Sequence, residues 1–290
     1  MKIAVVGTSG GWSSEKLADA VEAATGYRLL VDMAKISLSL PEGRLFYENK
    51  ELIALDGILI KKIGSSCFPD LLERLETLRY LSEKGIPIFS KPEKILRVLD
   101  RLACTITLQT GGIPMPPTTI TENIDAALNA VAEYGEAIFK PLFSTKARGM
   151  RVIKDGNGAK QEIEAYHQKN DTMYIQKKID LGKHDLGIVF LGGDYLITYA
   201  RCKAANAWNT TTASGGKYGV YKPSTDIIDL AHKAQSLFGL DFTCVDVALT
   251  SEGPFVFEVS AFGGFRGILE AGKIDAARAY TEYAIGRISQ

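Results

Sequence analysis

Two apolar patterns alternate along the first part of the chain. Short unbroken runs, Ile3-Ala-Val-Val6 and Asp56-Gly-Ile-Leu-Ile60, read as buried strands, the first stopped by Gly7-Thr-Ser-Gly-Gly11. Between and after them, apolar residues recur at helical spacing. Ser14 reads as the cap of a helix from Glu15 to about Ala24. Asp70–Lys84 reads as a second helix, with Leu71, Leu72, Leu75, Leu78 and Leu81 as its apolar residues and Gly85 as its stop. Ile86–Phe89 is a third strand. Strand–helix–strand alternation predicts a parallel sheet covered by helices.

The pattern then changes. Pro92–Gln109 predicts a helix leading to Gly111-Gly112, and Pro114–Pro117 must be extended or turned. Thr121 or Asn123 starts a helix that reaches Tyr134. After it come mainly strands: Ala137–Lys140, Met150–Lys154, Met173–Lys178, Leu186–Leu191 and Tyr195–Cys202, the last two joined by a hairpin signal, Gly192-Gly193-Asp194. A polar loop precedes a helix over Asp226–Phe238. Strands at Thr243–Leu249 and Phe255–Ser260 lead into a Gly-rich loop and a last helix from about Asp275. The expected fold class is α/β followed by α+β, with an N-terminal parallel sheet and C-terminal antiparallel sheets. No Pro- or Ser-rich linker separates the parts, so they are expected to pack as one body.

Composition narrows the function classes. The 290 residues are 46% apolar and 23% charged, enough to bury a sizeable core. The 34 basic residues balance 34 acidic ones, which gives no support to a general nucleic-acid or membrane-surface binder. Cys67, Cys104, Cys202 and Cys244 are scattered without a CxxC pair, which argues for reduced thiols rather than a zinc site or disulfide scaffold. Met1–Gly7 is too short an apolar run for a signal peptide, and no segment approaches the roughly 18–20 apolar residues of a membrane helix. A soluble, cytoplasmic protein is the expectation, with no nucleic-acid or membrane partner.

The most informative segment runs from Val245 to Ser260. A three-residue loop, Ser251-Glu252-Gly253, would put Gly253 at the left-handed position such a loop requires. In that register Val245 faces Val259, Val247 faces Phe257 and Leu249 faces Phe255, all on one apolar face. Asp246 then stands opposite Glu258 on the other face, with Ser260 two residues on. Two carboxylates side by side repel, and a divalent cation removes that cost. An all-oxygen set suits Mg²⁺. On spacing alone, a solvated face with lysine partners explains the pair equally well.

Lys140 ends an apolar strand and is followed by Pro141 and a loop containing Ser144, Thr145, Lys146, Arg148 and Gly149. Hydroxyls, backbone N–H groups and cations in one loop can hold phosphate oxygens, though a basic surface loop is a commoner explanation. The Gly7–Gly11 turn lacks GxGxxG spacing and a matching acidic residue, which argues against NAD or FAD. His167, His184 and His232 show no ligand spacing, and Trp208 and Phe262 read as packing residues or pocket lining.

In their order along the chain, these segments resemble the ATP-grasp superfamily, in particular the RimK-like amino-acid ligases, and within it the ATP-grasp member of the so-called GAK gene system. Asp56–Ser66 is similar to the segment that ends the family's first domain, and Asp100-Arg101 stands at its usual Asp-Lys. Phe139-Lys140-Pro141 resembles the strand with the first ATP-contacting lysine. Tyr174–Ile179 resembles the adenine hinge, and Asp185 matches a ribose-side acid. Asn209-Thr210-Thr211 falls on a nucleotide-contacting triplet, while Asp246, Glu258 and Ser260 fall on metal ligands. Ala261–Asp275 follows the closing loop.

The resemblance implies the ATP-grasp fold, three interlocked subdomains: residues 1–90, a pre-ATP-grasp domain, then 91–176 and 177–290, the central and C-terminal ATP-grasp subdomains. It implies ATP and Mg²⁺ as cofactors and a ligase that activates a carboxylate as an acyl phosphate for attack by an amine. The implied partners are a small-molecule or peptide carboxylate and an amine acceptor, with homo-oligomer formation left open. The nucleotide-binding residues implied are Arg101, Lys140, Lys146 (or Arg148), Gln176, Lys177, Lys178, Ile179, Asp185, Asn209, Thr210 and Thr211. Arg201 is the candidate stabiliser of the acyl phosphate, with a surface salt bridge as an equal alternative, and Arg266, in a Gly-rich loop near the metal strand, is the candidate contact for a substrate carboxylate. Departures are Ser260 where Asn is usual, Lys177 in the hinge, Thr211 in the triplet, and Arg266 where Glu is common. They keep open a kinase, or a protein that binds ATP without turnover.

Overall fold

The computed structural model describes residues 1–64, 70–144, 147–204, 210 and 215–290. The first region builds a parallel sheet. Strand β1 (Ile3–Val6) leads through α1 (Trp12–Thr25) to β2 (Leu30–Val31). An antiparallel three-stranded excursion follows, β3 (Ile36–Ser39), β4 (Arg44–Tyr47) and β5 (Lys50–Glu51). The chain then returns as β6 (Gly57–Ile60), α2 (Asp70–Glu83) and β7 (Ile88–Phe89), and the parallel strand order is β2-β1-β6-β7. Every residue of β1 and β6 is buried, which is why these strands read as unbroken apolar runs rather than alternating ones.

Helix α1 starts earlier than the sequence predicts. Gly11 is its N-cap, and Ser14 lies buried inside the first turn, where its hydroxyl accepts the Thr8 N–H at 3.1 Å. The helical stretch after Pro92 is two helices, α3 (Pro92–Leu99) and α4 (Arg101–Thr110). Asp100 breaks them with an extended backbone, and its carboxylate caps α4 by accepting from the N–H groups of Leu102 and Ala103.

The middle region forms an antiparallel sheet ordered β10-β9-β11-β8, from β8 (Thr118–Thr121), β9 (Glu136–Lys140), β10 (Arg151–Lys154) and β11 (Met173–Lys177). Asn123 caps α5 (Ile124–Tyr134), and α6 (Ala159–His167) covers the same face. The half-buried edge strand β8 and helix α6 have no counterpart in the sequence reading.

The last region is a five-stranded antiparallel sheet, β14-β13-β12-β15-β16, made of β12 (His184–Leu191), β13 (Asp194–Cys202), β14 (Lys217–Val220), β15 (Phe242–Thr250) and β16 (Gly253–Ser260). Helix α7 (Thr225–Ser236) packs on it. The segment read as a Gly-rich loop contains α8 (Phe265–Gly272), followed by α9 (Ala276–Ile288), which Asp275 caps.

The β15–β16 hairpin corrects the expected register. Val245 pairs with Val259 and Asp246 with Glu258, but beyond them Val247 pairs with Val256 and Ala248 with Phe255. The expected pairs Val247–Phe257 and Leu249–Phe255 do not form. The loop is only Ser251-Glu252, one residue shorter than assumed, with Gly253 at φ +110° beginning the strand. A bulge absorbs the extra residue, Phe257, and restores the alternation at Glu258.

Two cores join the first and last sheets. One brings Val6, Ile58 and Ile60 together with Leu186, Val245, Val247 and Val256, and the other brings Val5, Leu17 and Leu59 together with Phe242, Phe265 and Tyr280. The middle sheet has a separate core around Phe139, Ile153, Ile163 and Met173. Each such buried side chain contributes about 1.5–3 kcal/mol relative to exposure. Separate cores leave the middle unit as its own lobe beside the last sheet.

Candidate active site

Strand β9 carries Lys140 into the interior, where it is 7% exposed. Its ammonium donates to Gln176 Oε1 on neighbouring β11 and lies 5.3 Å from the centre of the Phe257 ring. Gln176 Nε2 donates to Thr118 Oγ1 at 3.0 Å, and Tyr174 and Thr105 share a hydroxyl bond at 2.9 Å. Burial pushes the Lys140 ammonium down to about 7, and the nearby charge of Arg101 adds to the effect while Glu258 opposes it.

Arg101 is held by the break at Asp100. Its Nε donates to the Pro141 carbonyl at 3.1 Å, its guanidinium stands 5.8 Å from the Tyr174 ring, and Nη1 is 3.6 Å from Glu258 Oε2. This contact links the lobe of Lys140 to the carboxylates of the last sheet.

On that sheet Asp246 and Glu258 are direct cross-strand neighbours. Asp185 pairs in register with Arg201, and Gly187 with Asp246, so all four side chains fall on adjacent strands. Arg201 grips Asp185 with two hydrogen bonds, at 3.1 and 2.6 Å, and reaches Asp246 Oδ2 at 2.9 Å. Burial opposes the charge on Arg201, but Asp246 and Asp185 outweigh it and hold its pKa well above the ordinary value. Asp246 has the reverse problem. Burial pushes its carboxyl up to about 7; Arg201 works against that shift, while Glu258 and Asp185 reinforce it. Asp185 and Asp246 therefore share the Arg201 guanidinium, while Glu258 has Arg101 as its cation.

The remaining sequence-predicted residues are distributed around this core. Lys178 forms an ion pair with Glu136 at 2.8 Å, the Lys177 N–H donates to the Pro117 carbonyl, and Ile179 follows, half-buried. Ser260 is opposite Cys244, and its hydroxyl accepts the Phe262 N–H at 3.3 Å. Thr210 is buried and Arg148 exposed. Lys146, Asn209 and Thr211 lie outside the described residues, as does Trp208. Arg266, in the first turn of α8, is exposed and stacks on Trp12 with its guanidinium carbon 5.2 Å from the ring centre.

Sequence reasoning missed Phe257, which the bulge turns toward Lys140, and Glu136, which engages Lys178. A two-residue loop alone would set Asp246 opposite Phe257, and only the bulge brings Glu258 to Asp246. Among the described residues no three His, Cys, Asp or Glu side chains form a ready metal-binding group. The donors present are two carboxylates and a hydroxyl. Such a set fits a hard cation that keeps water and phosphate oxygens as its other ligands.

This architecture is the ATP-grasp fold. The ligase PsnB, solved with a phosphomimetic variant of its minimal precursor, Mg and ADP, superposes with a TM-score of 0.77 at 17% identity, covering 99% of this chain and 98% of that one. A family model for the RimK-like ATP-grasp domain matches residues 98–284, well over half of the chain, and the protein belongs to that family. Its relatives include the tetrahydromethanopterin:alpha-L-glutamate ligase of Methanosarcina acetivorans, 24% identical over 94% of both chains. Another is the ribosomal protein bS6–L-glutamate ligase of Salmonella paratyphi B, 25% identical over 80% of this chain and 77% of that one. The protein is thus an enzyme of the ATP-dependent carboxylate–amine ligase class. No helix among the described residues is long and apolar enough to cross a membrane.

Proposed function

We propose that the cleft between the middle and last sheets binds Mg·ATP and that the enzyme joins a small-molecule or peptide carboxylate to an amine. The observation that carries this reading is the placement of a buried lysine with no carboxylate partner among the described residues, Lys140, close to a cross-strand pair of carboxylates, Asp246 and Glu258. An anion completes the first and a cation the second. Residues 1–90, 91–176 and 177–290 are assigned as the three subdomains, the nucleotide lying between the last two.

In this reading Lys140 and Arg101 hold phosphate oxygens, with Lys146 or Arg148 from the loop after β9. Gln176, Lys177, Lys178 and Ile179 bound the adenine side, and Asp185, Asn209, Thr210 and Thr211 complete the nucleotide contacts. Asp246, Glu258 and Ser260 would hold Mg²⁺, whose charge neutralises the phosphates. A substrate carboxylate oxygen bonds to the γ-phosphorus as ADP leaves, giving an acyl phosphate. The amine then attacks its carbonyl carbon and phosphate departs. Arg201 is assigned to the acyl phosphate oxygens and Arg266 to an acidic group of the substrate, a contact for which its planar, bidentate guanidinium is suited.

The test is ADP release from Mg·ATP with a panel of amino-acid and peptide carboxylates, with and without amine acceptors. Ligation requires both partners. ADP formed with the carboxylate alone as a stable phosphorylated product identifies a kinase, and binding without turnover a nucleotide sensor. Glu258→Gln is expected to abolish turnover and weaken Mg·ATP binding while leaving the fold intact, because the apolar face of the hairpin is untouched. Unchanged binding and turnover in that variant would sink the metal assignment.

A further inference from the structure

The chain buries a second lysine, Lys61, apart from the cluster described above. It follows β6, is 2% exposed, and donates to the Gly263 carbonyl at 2.6 Å across a sequence separation of 202 residues. Its ammonium sits 4.0 Å from the centre of the Phe265 ring and 5.8 Å from that of Phe242. It forms no ion pair with a carboxylate among the described residues. Burial pushes it down to about 7, helped by the charge of Lys62. An isolated buried ammonium is costly, and an apolar side chain of equal length would fill the same space without that cost. Stability alone does not account for a lysine here.

What it grips is informative. Gly263 and Phe265 flank Gly264, the N-cap of α8, so Lys61 fixes both sides of the point where that helix begins. The segment lies between Ser260 and Arg266. A Cβ on Gly263 would lie 2.8 Å from the Phe242 ring, and one on Gly267 within about 3 Å of Tyr218 and Tyr199, so α8 is already packed hard against the sheet on its other side. The Lys61 backbone is itself anchored, its N–H donating to the Val6 carbonyl at 2.8 Å. Trp12, at the start of α1, comes from the same region and takes Arg266 on its ring. The first unit therefore holds the opening turn of α8 at two points.

We propose that Lys61 is a positioning residue for substrate recognition: by clamping Gly263 and Phe265 it sets the start of α8 and so aims Arg266 at the substrate's acidic group. The proposal rests on the reading of Arg266 given above. Lys61 touches neither substrate nor nucleotide. Its contribution is the alignment of a loop from the last region against the first sheet, made by a donor long enough to cross the interface.

The experiment uses Lys61→Met and Lys61→Arg in the full chain carrying Trp208→Phe, which leaves Trp12 as the sole tryptophan. Acrylamide quenching of Trp12 reads whether Arg266 still covers it, and needs no substrate. Lys61→Met is expected to raise the quenching constant by about twofold through local loosening, with Tm equal to or above that of the parent. Lys61→Arg, which keeps a long donor, is expected to stay close to the parent value. Mg·ATP affinity should stay within about twofold, while KM for the carboxylate found in the panel above rises about tenfold with KM for ATP unchanged. Unchanged Trp12 quenching in Lys61→Met overturns the proposal. So does a lower Tm accompanied by a matching loss of ATP affinity, or a failure to fold, since these mark a purely structural lysine. If the panel yields no carboxylate, the reading of Arg266 falls while the quenching result still decides whether Lys61 sets the loop.

Discussion

Lys140 and Lys61 resemble each other closely in local chemistry. Each terminates a buried apolar strand, each is almost inaccessible, and burial pushes each ammonium down to about 7. Their surroundings differ. Lys140 has a side-chain amide, an aromatic ring and, nearby, Arg101 with its ion-pair partner Glu258. Lys61 has a backbone carbonyl and two rings. In the proposed function a nucleotide phosphate offsets the desolvation cost at Lys140, whereas at Lys61 a loop carbonyl and two rings do so. A low lysine pKa by itself marks neither.

The largest effect expected from this contrast is on nucleotide affinity. Lys140→Met should weaken Mg·ATP binding about a hundredfold, roughly 2.7 kcal/mol, the scale of a charge-assisted contact to phosphate, measured by isothermal titration. Lys61→Met should leave it nearly unchanged. Equal losses in both variants would erase the distinction.

Next comes the pH dependence of stability. Both lysines fall from an ordinary 10.5 to about 7 in the folded chain. Between those values the unfolded chain holds more protons, so stability rises with pH, by up to about 1.4 kcal/mol per unit for each lysine. Tm is expected to climb from pH 7 to 9 in the unmodified protein and less steeply in either Met variant. Saturating Mg·ATP should remove the share of Lys140, which phosphate keeps charged, and leave that of Lys61. A slope indifferent to nucleotide would break the comparison.

The smallest effect concerns the rings. Phe265→Leu and Phe257→Leu each remove a cation–π contact, of about 0.5–2 kcal/mol depending on desolvation. The first should appear as lower Tm, because the contact is sealed in the core. The second should appear mainly as weaker Mg·ATP binding, with Tm little changed. Thermal denaturation and titration of both variants would show an exchange of roles if the assignment is reversed.

Much of the architecture was legible because buried strands and amphipathic helices leave opposite periodicities. The parallel first sheet and the β12–β13 hairpin follow from such patterns, whereas the Asp246–Glu258 pair is reached through a three-residue loop that does not form and is restored by the bulge at Phe257. The misreadings have local causes. Ser14 looks like a helix cap, but Gly11 caps the helix and the Ser14 hydroxyl turns back to Thr8. Gly264 and Gly267 read as loop signals, whereas Gly267 lies within a helix because Tyr199 and Tyr218 leave no room for a side chain. Asp100 splits what looks like one helix, since a capping carboxylate and a mid-helix acid have the same letter. Lys61 was invisible as a buried group: a Lys-Lys pair after a strand looks like a solvated end, and only the return of residues near 263 closes over it.

The bulge at Phe257 has a consequence for how the strand could evolve. Deleting one residue from a regular strand turns every later side chain to the opposite face. Here Val256 already pairs with Val247, and Glu258 with Asp246. Loss of Phe257 would close the ladder into an ordinary one and leave both flanking sets facing as they do now. The sheet is therefore indifferent to this residue, and a lineage could shed it without losing the fold. What would go is the ring beside Lys140. A residue that the ladder does not require thus supplies one wall of the candidate site.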